Sequence, residues 1–175
     1  PRSMIASNMA SIKIAGTVND SIVDGEGYRF TIFTQGCPHH CEGCQNPQTH
    51  AFTAGHSVDT AELLQQILDN PLLSGVTFSG GEPFCQPEPL AELAKKLHEH
   101  HLDVWSYSGY TLEELQAMDN PGVRMLLAEL DVLVDGKFLL DQRDLTLAFR
   151  GSRNQRIIDM NATRQQWQII EKDCS

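Results

Sequence analysis

The chain has no hydrophobic run long enough to cross a membrane. A membrane helix needs about 20 predominantly apolar residues. The best candidate, MLLAELDVLVDGKFLL at residues 125–140, is interrupted by Glu129, Asp131, Asp135 and Lys137. The first residues also lack the basic segment and apolar stretch of a secretory signal, and PRS before Met4 has the character of a cloning remnant. We therefore expect no membrane partner and a cytoplasmic location.

Positive charge is also scarce. The chain has 13 Lys and Arg residues against 23 Asp and Glu residues, which gives a formal net charge of −10. Binding to nucleic acid requires clustered Lys and Arg side chains that neutralise phosphates. We therefore expect no nucleic-acid partner, and the acidic balance mainly favours solubility.

Cysteine is present in an odd number, which does not suit a disulfide framework. Of the 5 cysteines, Cys37, Cys41 and Cys44 fall within the short stretch GCPHHCEGCQNP at residues 36–47. The other two, Cys85 and Cys174, stand alone and are expected to be structural or exposed. The unusual concentration of thiols in one stretch therefore marks a candidate site.

Short β-type runs alternate with helical patterns along the chain. Aromatic and β-branched residues predict strands over 28–36, 75–81, 102–109, 131–138 and 155–160. Apolar residues at helical spacing predict helices over 57–70, 88–101, 111–119, 122–130 and 162–170. This alternation favours right-handed crossovers and a parallel sheet. It indicates an α/β fold, either a partial, open parallel (β/α) barrel of about five to six strands or a doubly wound sheet.

The chain is long enough for one domain with a substantial core. We expect a single domain over 1–175, with residues 1–10 as a cloning remnant or a disordered N-terminal extension. The chemically unusual stretches, namely the cysteine loop, SGGEP, YSGY and DGK, each follow a predicted strand. Parallel α/β sheets build their sites at the carboxyl ends of strands. The pattern therefore favours an enzyme.

The cysteine loop has the spacing Cys-x3-Cys-x2-Cys, which allows three thiolates to converge on one metal centre. Unrelated thiols are disfavoured, because exposed thiols oxidise readily. A structural zinc site would take His39, His40 or His50 as its fourth ligand, and this alternative stays open. A four-iron cluster normally takes four thiolates, so three would leave one iron free for a ligand that is not protein.

The cysteine spacing, followed after the next strand by Ser79 and the Gly80–Pro83 segment GGEP, resembles the radical S-adenosylmethionine (SAM) superfamily. The resemblance implies that Cys37, Cys41 and Cys44 hold a [4Fe-4S] cluster whose fourth iron is chelated by SAM. It further implies that the glycine segment and Glu82 hold the methionine part of SAM. A partial (β/α) barrel of the radical SAM type is the fold that the resemblance implies.

The stretch DGEGYRFTIFTQGCPHHCEGCQNPQT at residues 24–49 is similar to the activating enzymes of glycyl-radical enzymes. Within that group, HCEGCQNP and the later FRGSRNQRIID at residues 149–159 resemble the activators of anaerobic ribonucleoside-triphosphate reductase. The resemblance implies an oxidoreductase that cleaves SAM reductively and generates a glycyl radical on the reductase. It also implies a flavodoxin- or ferredoxin-like electron donor, and it requires no side chain as acid, base or nucleophile.

Other functions remain as alternatives. A small-molecule radical SAM enzyme of the deazapurine-carboxylating type is one, although Asn46–Pro47 after the third cysteine argues against it. An activase of the pyruvate formate-lyase type is another, and a zinc-stabilised binding module is the alternative that is not an enzyme. The sequence is also compatible with a homodimer.

The candidate cofactor-binding residues are grouped after the predicted strands. Asp135 and Lys137 end a strand that faces the proposed site, and Ser106 belongs to the strand before it. The full set is Gly43, Cys44, Gln45, Ser79, Gly80, Gly81, Glu82, Ser106, Asp135 and Lys137.

Overall fold

Strands that are buried on both faces form the centre of the molecule, as expected where helices cover a sheet. The computed structural model describes residues 10–174. Apart from Ala10, whose carbonyl accepts a hydrogen bond from the Thr60 N–H at 2.9 Å, the expected extension over residues 1–10 lies outside the described residues. The single-domain organisation stays a prediction.

Seven strands form one sheet in the described part of the chain. They are β1 Ser11–Ser21, β2 Arg29–Thr34, β3 His56–Asp59, β4 Gly75–Gly80, β5 Asp103–Ser108, β6 Val132–Asp135 and β7 Arg156–Asp159. Their order across the sheet is β3-β1-β2-β4-β5-β6-β7. Strands β2, β4, β5 and β6 are mutually parallel, whereas β1, β3 and β7 pair antiparallel with their neighbours. The expected α/β fold, a partial, open (β/α) barrel with a mostly parallel sheet, is confirmed.

The structure adds two strands and one change of direction to the expected sheet. Strands β1 and β3, which pair with each other at one edge, were not predicted. Strand β7 was found but runs antiparallel to β6. A parallel return needs a crossover of a dozen or more residues, usually a helix. Between β6 and β7 the described chain has only a short 3-10 helix, Leu140–Gln142, so β7 comes back antiparallel.

Five α-helices accompany the described strands: α1 Thr60–Leu68, α2 Pro87–Glu99, α3 Leu112–Ala117, α4 Pro121–Glu129 and α5 Met160–Gln166. All five predicted helices are present; each ends one to four residues earlier than predicted, and their first residues differ from the prediction by one to three positions. Helix α3 begins with the expected capping box, in which Thr111 accepts from the Glu114 N–H and the Glu114 side chain accepts from the Thr111 N–H. Within residues 10–174, none of these helices combines the length and apolar character needed to span a membrane.

The two faces of the sheet are packed differently. One face, with Ile32, Phe78, Val104 and Leu133, joins the leucine-rich sides of the helices in the main core. Trp105, on the opposite face of β5 from Val104, packs with Val132, Val134 and Ile157 in a second, smaller cluster. Since parallel strands have buried side chains on both faces, alternation alone does not show which side chains meet the helices. The carboxyl ends of β2, β4, β5 and β6 lie at the same edge, where the candidate site is found.

Candidate functional site

The cysteine loop leaves the carboxyl end of β2 and is closed at its base by backbone hydrogen bonds. The Gly36 N–H donates to the Thr49 carbonyl at 2.7 Å, and the Cys37 N–H donates to the His50 carbonyl at 3.0 Å. Within the loop, the Cys44 N–H donates to the Cys41 carbonyl at 3.2 Å. These bonds fix the ends of the loop, so its three thiols project from a constrained segment.

All three loop cysteines line one cavity of about 520 Å³ at the carboxyl edge of the sheet. The cavity wall also includes Gln45, Ser79, Gly80 and Gly81 from the predicted set. Its size lies in the usual range for sites that enclose a small molecule or cofactor. The structure therefore brings together the cysteines and the glycine segment, which are more than thirty residues apart in sequence.

The cysteines have the chemistry that an iron–sulfur cluster requires. Their thiols are not in disulfides, and thiolate is the usual ligand of cluster iron. Burial raises the pKa of the Cys37 and Cys41 thiols, while the N–H groups of His39 and Phe138 act in the opposite direction. The Asn46 N–H donates to Cys44 Sγ at 3.4 Å. Cluster iron would displace the thiol protons, and such N–H groups are the hydrogen bonds that tune cluster potentials.

These side chains suit a single metal ion less well than a four-iron cluster. In the described part of the chain, no three His, Cys, Asp or Glu side chains are grouped so that they could hold one ion. Of the histidines considered as a fourth zinc ligand, His39 directs its Nε2 atom to Glu82 at 2.6 Å. The ring of His40 packs against that of His50. A common cavity lined by three separate thiols fits the larger four-iron group.

Gly80, the last residue of β4, and Gly81 allow the backbone of this segment to pack directly against β2 and the cysteine loop. Gly80 has φ +92°, and a Cβ there would lie 2.6 Å from the Thr34 nitrogen. A Cβ at Gly81 would collide with the Gly36 carbonyl. Only glycine satisfies both the positive φ at residue 80 and these close approaches. The glycines therefore place peptide groups, rather than side chains, in the cavity wall.

Glu82 has a different position from the one expected. Its side chain is fully buried and is absent from the cavity wall. The carboxylate accepts hydrogen bonds from His39 Nε2 at 2.6 Å, the Gly109 N–H at 2.8 Å, the Phe84 N–H at 3.0 Å and Ser108 Oγ at 2.9 Å. Because protein donors surround both oxygens, the carboxylate serves the protein here and does not project toward a ligand in the cavity.

Four further predicted residues lie outside the wall of the main cavity. Ser106 is fully buried and donates to the Tyr107 carbonyl. It comes two residues after Val104 in β5, so it lies on the same face of the sheet, which the helices cover. Asp135 accepts from the N-terminal N–H of α3 at Leu112 and from Arg156. The exposed Lys137 lines a neighbouring cavity that also contains Cys41. Gly43 is exposed with φ +74°, so it shapes the cysteine loop without lining the main cavity.

Part of the cavity wall lies outside the predicted set of cofactor-binding residues. Tyr107 lines it and donates from its hydroxyl to the Phe149 carbonyl at 2.7 Å, and burial raises the pKa of this hydroxyl. Asp24 also lines it and accepts from Thr31 Oγ at 3.1 Å. The remaining wall residues outside that predicted set are Ile22, Val23, His39, Asn46, His50, Ser108, Gly109, Gly136, Phe138, Leu145, Leu147, Ala148, Phe149, Arg150, Gly151 and Gln155. Several of them lie in stretches that the sequence marks as unusual, namely the cysteine loop, YSGY, DGK and FRGSRNQRIID, whereas Ile22 and Val23 have no such signal.

Comparison with known proteins identifies the class to which this arrangement belongs. A family model of the 4Fe-4S single cluster domain matches residues 23–158, and the chain belongs to that family. The match contains the cysteine loop and the strands that bound the cavity. An iron–sulfur cluster is thus the metal group of the class, in agreement with the three thiols in the cavity wall.

Relatives define the family more narrowly. Anaerobic ribonucleoside-triphosphate reductase-activating protein of Pasteurella multocida is 42% identical over 143 residues, which cover 77% of this chain and 89% of that protein. The proteins of the same name from Haemophilus influenzae and Escherichia coli K12 are 36% and 34% identical, each over 77% of this chain and 89% or 90% of the relative. The chain is a member of the anaerobic ribonucleoside-triphosphate reductase-activating protein family.

Among solved structures, QueE from Escherichia coli is similar over 59% of this chain and 54% of its own, with a TM-score of 0.43 and 19% sequence identity. This similarity is too low to bear on the function.

Proposed function

We propose that this protein activates anaerobic ribonucleoside-triphosphate reductase by reductive cleavage of SAM at a [4Fe-4S] cluster held by Cys37, Cys41 and Cys44. Family membership supports the proposal, because the relatives are named as activators of that reductase. We place the reaction in the cytoplasm and take a flavodoxin- or ferredoxin-like protein as electron donor. A homodimer is part of the same proposal.

The observation that carries the proposal is the shared cavity. Its wall contains the three thiols together with Ser79, Gly80 and Gly81, which are more than thirty residues further along the chain. Three thiolates leave one iron of a four-iron cluster without a protein ligand. When bound, such a cluster supplies the electron for reductive cleavage of SAM, which is the source of the radical that removes a hydrogen atom from a glycine of the reductase.

The chain's own residues bind and orient the two groups. The cysteines hold the cluster, and peptide N–H and carbonyl groups of the glycine segment suit the polar methionine end of SAM. Apolar side chains in the cavity wall, among them Phe138, Leu147 and Phe149, suit a nucleoside and exclude water. Exclusion of water and fixed orientation are the protein's usual contributions when a cofactor performs the chemistry.

The test uses one cysteine substitution inside the cavity and one outside it. With SAM, a reductant and the reductase under anaerobic conditions, the wild-type protein is expected to give 5′-deoxyadenosine and a glycyl-radical signal in electron paramagnetic resonance (EPR). Cys41→Ala removes one of three cluster ligands and is expected to abolish both products. Cys85→Ala changes an exposed cysteine that does not line the cavity and is expected to retain both.

The outcomes separate the alternatives. SAM cleavage without a radical on the reductase would favour a small-molecule radical SAM enzyme or an activase of the pyruvate formate-lyase type. Full activity of Cys41→Ala would contradict the proposal outright. A colourless protein with stoichiometric zinc would favour the zinc-stabilised binding module.

A further inference from the structure

Glu82 and His39 form an almost fully enclosed polar contact at the site. The side-chain exposure is 0% for Glu82 and 5% for His39, and their Oε1 and Nε2 atoms are 2.6 Å apart. His39 lies within the cysteine loop, between Cys37 and Cys41, whereas Glu82 follows the glycines of β4. A buried carboxylate is costly unless its oxygens are hydrogen-bonded, and here the cysteine loop itself provides one of the donors.

Glu82 contacts the cysteine loop on both sides of Cys37. On the first side, its backbone N–H donates to the Gly36 carbonyl at 2.8 Å. On the second side, its carboxylate accepts from His39. One residue of the glycine segment therefore fixes the chain immediately before and shortly after the first cluster ligand.

The far side of the His39 ring is also fixed. The ring packs edge-on against Tyr110, with centroids 4.5 Å apart. It fills the space beside Gly109, where a Cβ would lie 2.5 Å from Nε2. The Gly109 N–H and Ser108 Oγ meanwhile donate to the same carboxylate. The end of β5, the glycine segment and the cysteine loop thus meet at the His39–Glu82 contact.

We propose that His39 and Glu82 are positioning residues that latch the cysteine loop onto the glycine segment. The latch sets the distance between the three thiols and the backbone of Ser79–Gly81, and so prepares the SAM site before SAM binds. This inference rests on the proposed function only for the identity of the ligand. Glu82 accordingly acts through His39 and the backbone, without contacting SAM.

The latch affects SAM binding through the population of the closed loop. Apparent affinity falls in proportion to the fraction of molecules in the binding-competent state. A hydrogen bond to a charged group contributes enough that its loss is expected to weaken SAM binding about tenfold. The chemical step, once SAM is bound in the closed loop, should be little changed.

Three variants test the latch. Asn at position 39 is too short to reach Glu82, whereas Gln extends its amide nitrogen to about the position of Nε2. His39→Asn is therefore expected to raise the KM for SAM about tenfold with little change in kcat, and His39→Gln to restore most of the loss. His40→Asn is the matched control, because His40 is exposed and has φ +49°, a conformation that Asn tolerates.

Two measurements besides turnover distinguish a latch from a merely structural contact. The first is the change in the EPR signal of the reduced cluster during a SAM titration, at equal iron content, whose midpoint should rise about tenfold in His39→Asn. The second is hydrogen–deuterium exchange of residues 36–45 in the cluster-free full-length protein. Exchange there should be faster in His39→Asn than in the wild-type protein or His40→Asn.

A lower melting temperature with an unchanged SAM titration and unchanged exchange would overturn the latch. Equal effects of His39→Asn and His40→Asn would do the same. If the wild-type protein failed to cleave SAM, the proposed function would fail, while the exchange comparison would still decide whether the latch holds the loop.

Discussion

Glycine is required at position 109 because a neighbouring side chain occupies the space that a Cβ would need. Gly109 lies beside the His39 ring, whereas a Cβ at Gly16 in β1 would meet no atom within 4 Å. Neither glycine has a positive φ, so backbone strain does not separate them. The difference between the two positions is one of space, and it can be tested with the same substitution.

Gly109→Ala is expected to displace His39 from Glu82. Overpacking of a filled site typically costs about 1–3 kcal/mol, and we expect a loss of that size in the free energy of unfolding, together with weaker SAM binding. Gly16→Ala should change neither quantity by more than about 0.5 kcal/mol. Urea denaturation of the cluster-free variants measures the stability, and equal losses in both would contradict the assignment.

At the scale of elements, Asp131 joins a helix, two strands and a second helix. It precedes β6 and accepts hydrogen bonds from His98 Nε2 in α2 at 2.8 Å, from the Val104 N–H in β5 at 2.8 Å and from the Asn161 side chain in α5 at 3.0 Å. Burial alone would raise its pKa, but these hydrogen bonds hold the pKa of Asp131 below its usual range. The ionised form is therefore favoured in the folded protein.

This pKa shift makes the stability from Asp131 depend on pH. A carboxyl group with a lowered pKa in the folded state stabilises the protein above its unfolded pKa of about 3.9 and loses that effect as the pH falls below it. Asp131→Asn is expected to lower the free energy of unfolding by about 1–2 kcal/mol at pH 7, with a difference that shrinks below about pH 4.

The matched control for Asp131 is Asp119→Asn. Asp119 is fully exposed, and its ion pair with Arg124 spans 3.6 Å. Exposed pairs contribute little, so the control should remain close to the wild-type protein at every pH. A pH-independent loss in Asp131→Asn would show that packing, and not ionisation, accounts for the effect.

The elements themselves could be predicted where periodicity was strong. The helices followed from apolar spacing and the parallel strands from aromatic and β-branched runs, because both patterns reflect burial against a core. Strand β3 has only four residues, and none of them is fully buried, so no pattern indicated it. Ser106 was a candidate SAM contact, and its side chain lies on the face of β5 that meets the helices; alternation could not predict this, because β5 is buried on both sides.

At the scale of the whole molecule, local sequence motifs predicted where the site lies, but they did not predict most of the residues that form its walls. The cysteine loop and GGEP were recognisable because cluster ligands and close backbone approach require those residue types at fixed spacing. The apolar wall around Leu145–Phe149 lies in an irregular segment with no periodicity. Its position in the fold depends on the path that the chain takes between β6 and β7. Glu82 shows the same limit, since only the folded contacts reveal that its carboxylate faces His39.

The central claim is that three thiols hold a four-iron cluster with one iron left open for SAM. The direct measurement is the iron, sulfide and zinc content of the anaerobically reconstituted protein, with EPR of the reduced sample before and after SAM is added. The account predicts about four iron and four sulfide per chain and a signal that changes when SAM binds. Stoichiometric zinc without iron, or a cluster signal that SAM leaves unchanged, would contradict it.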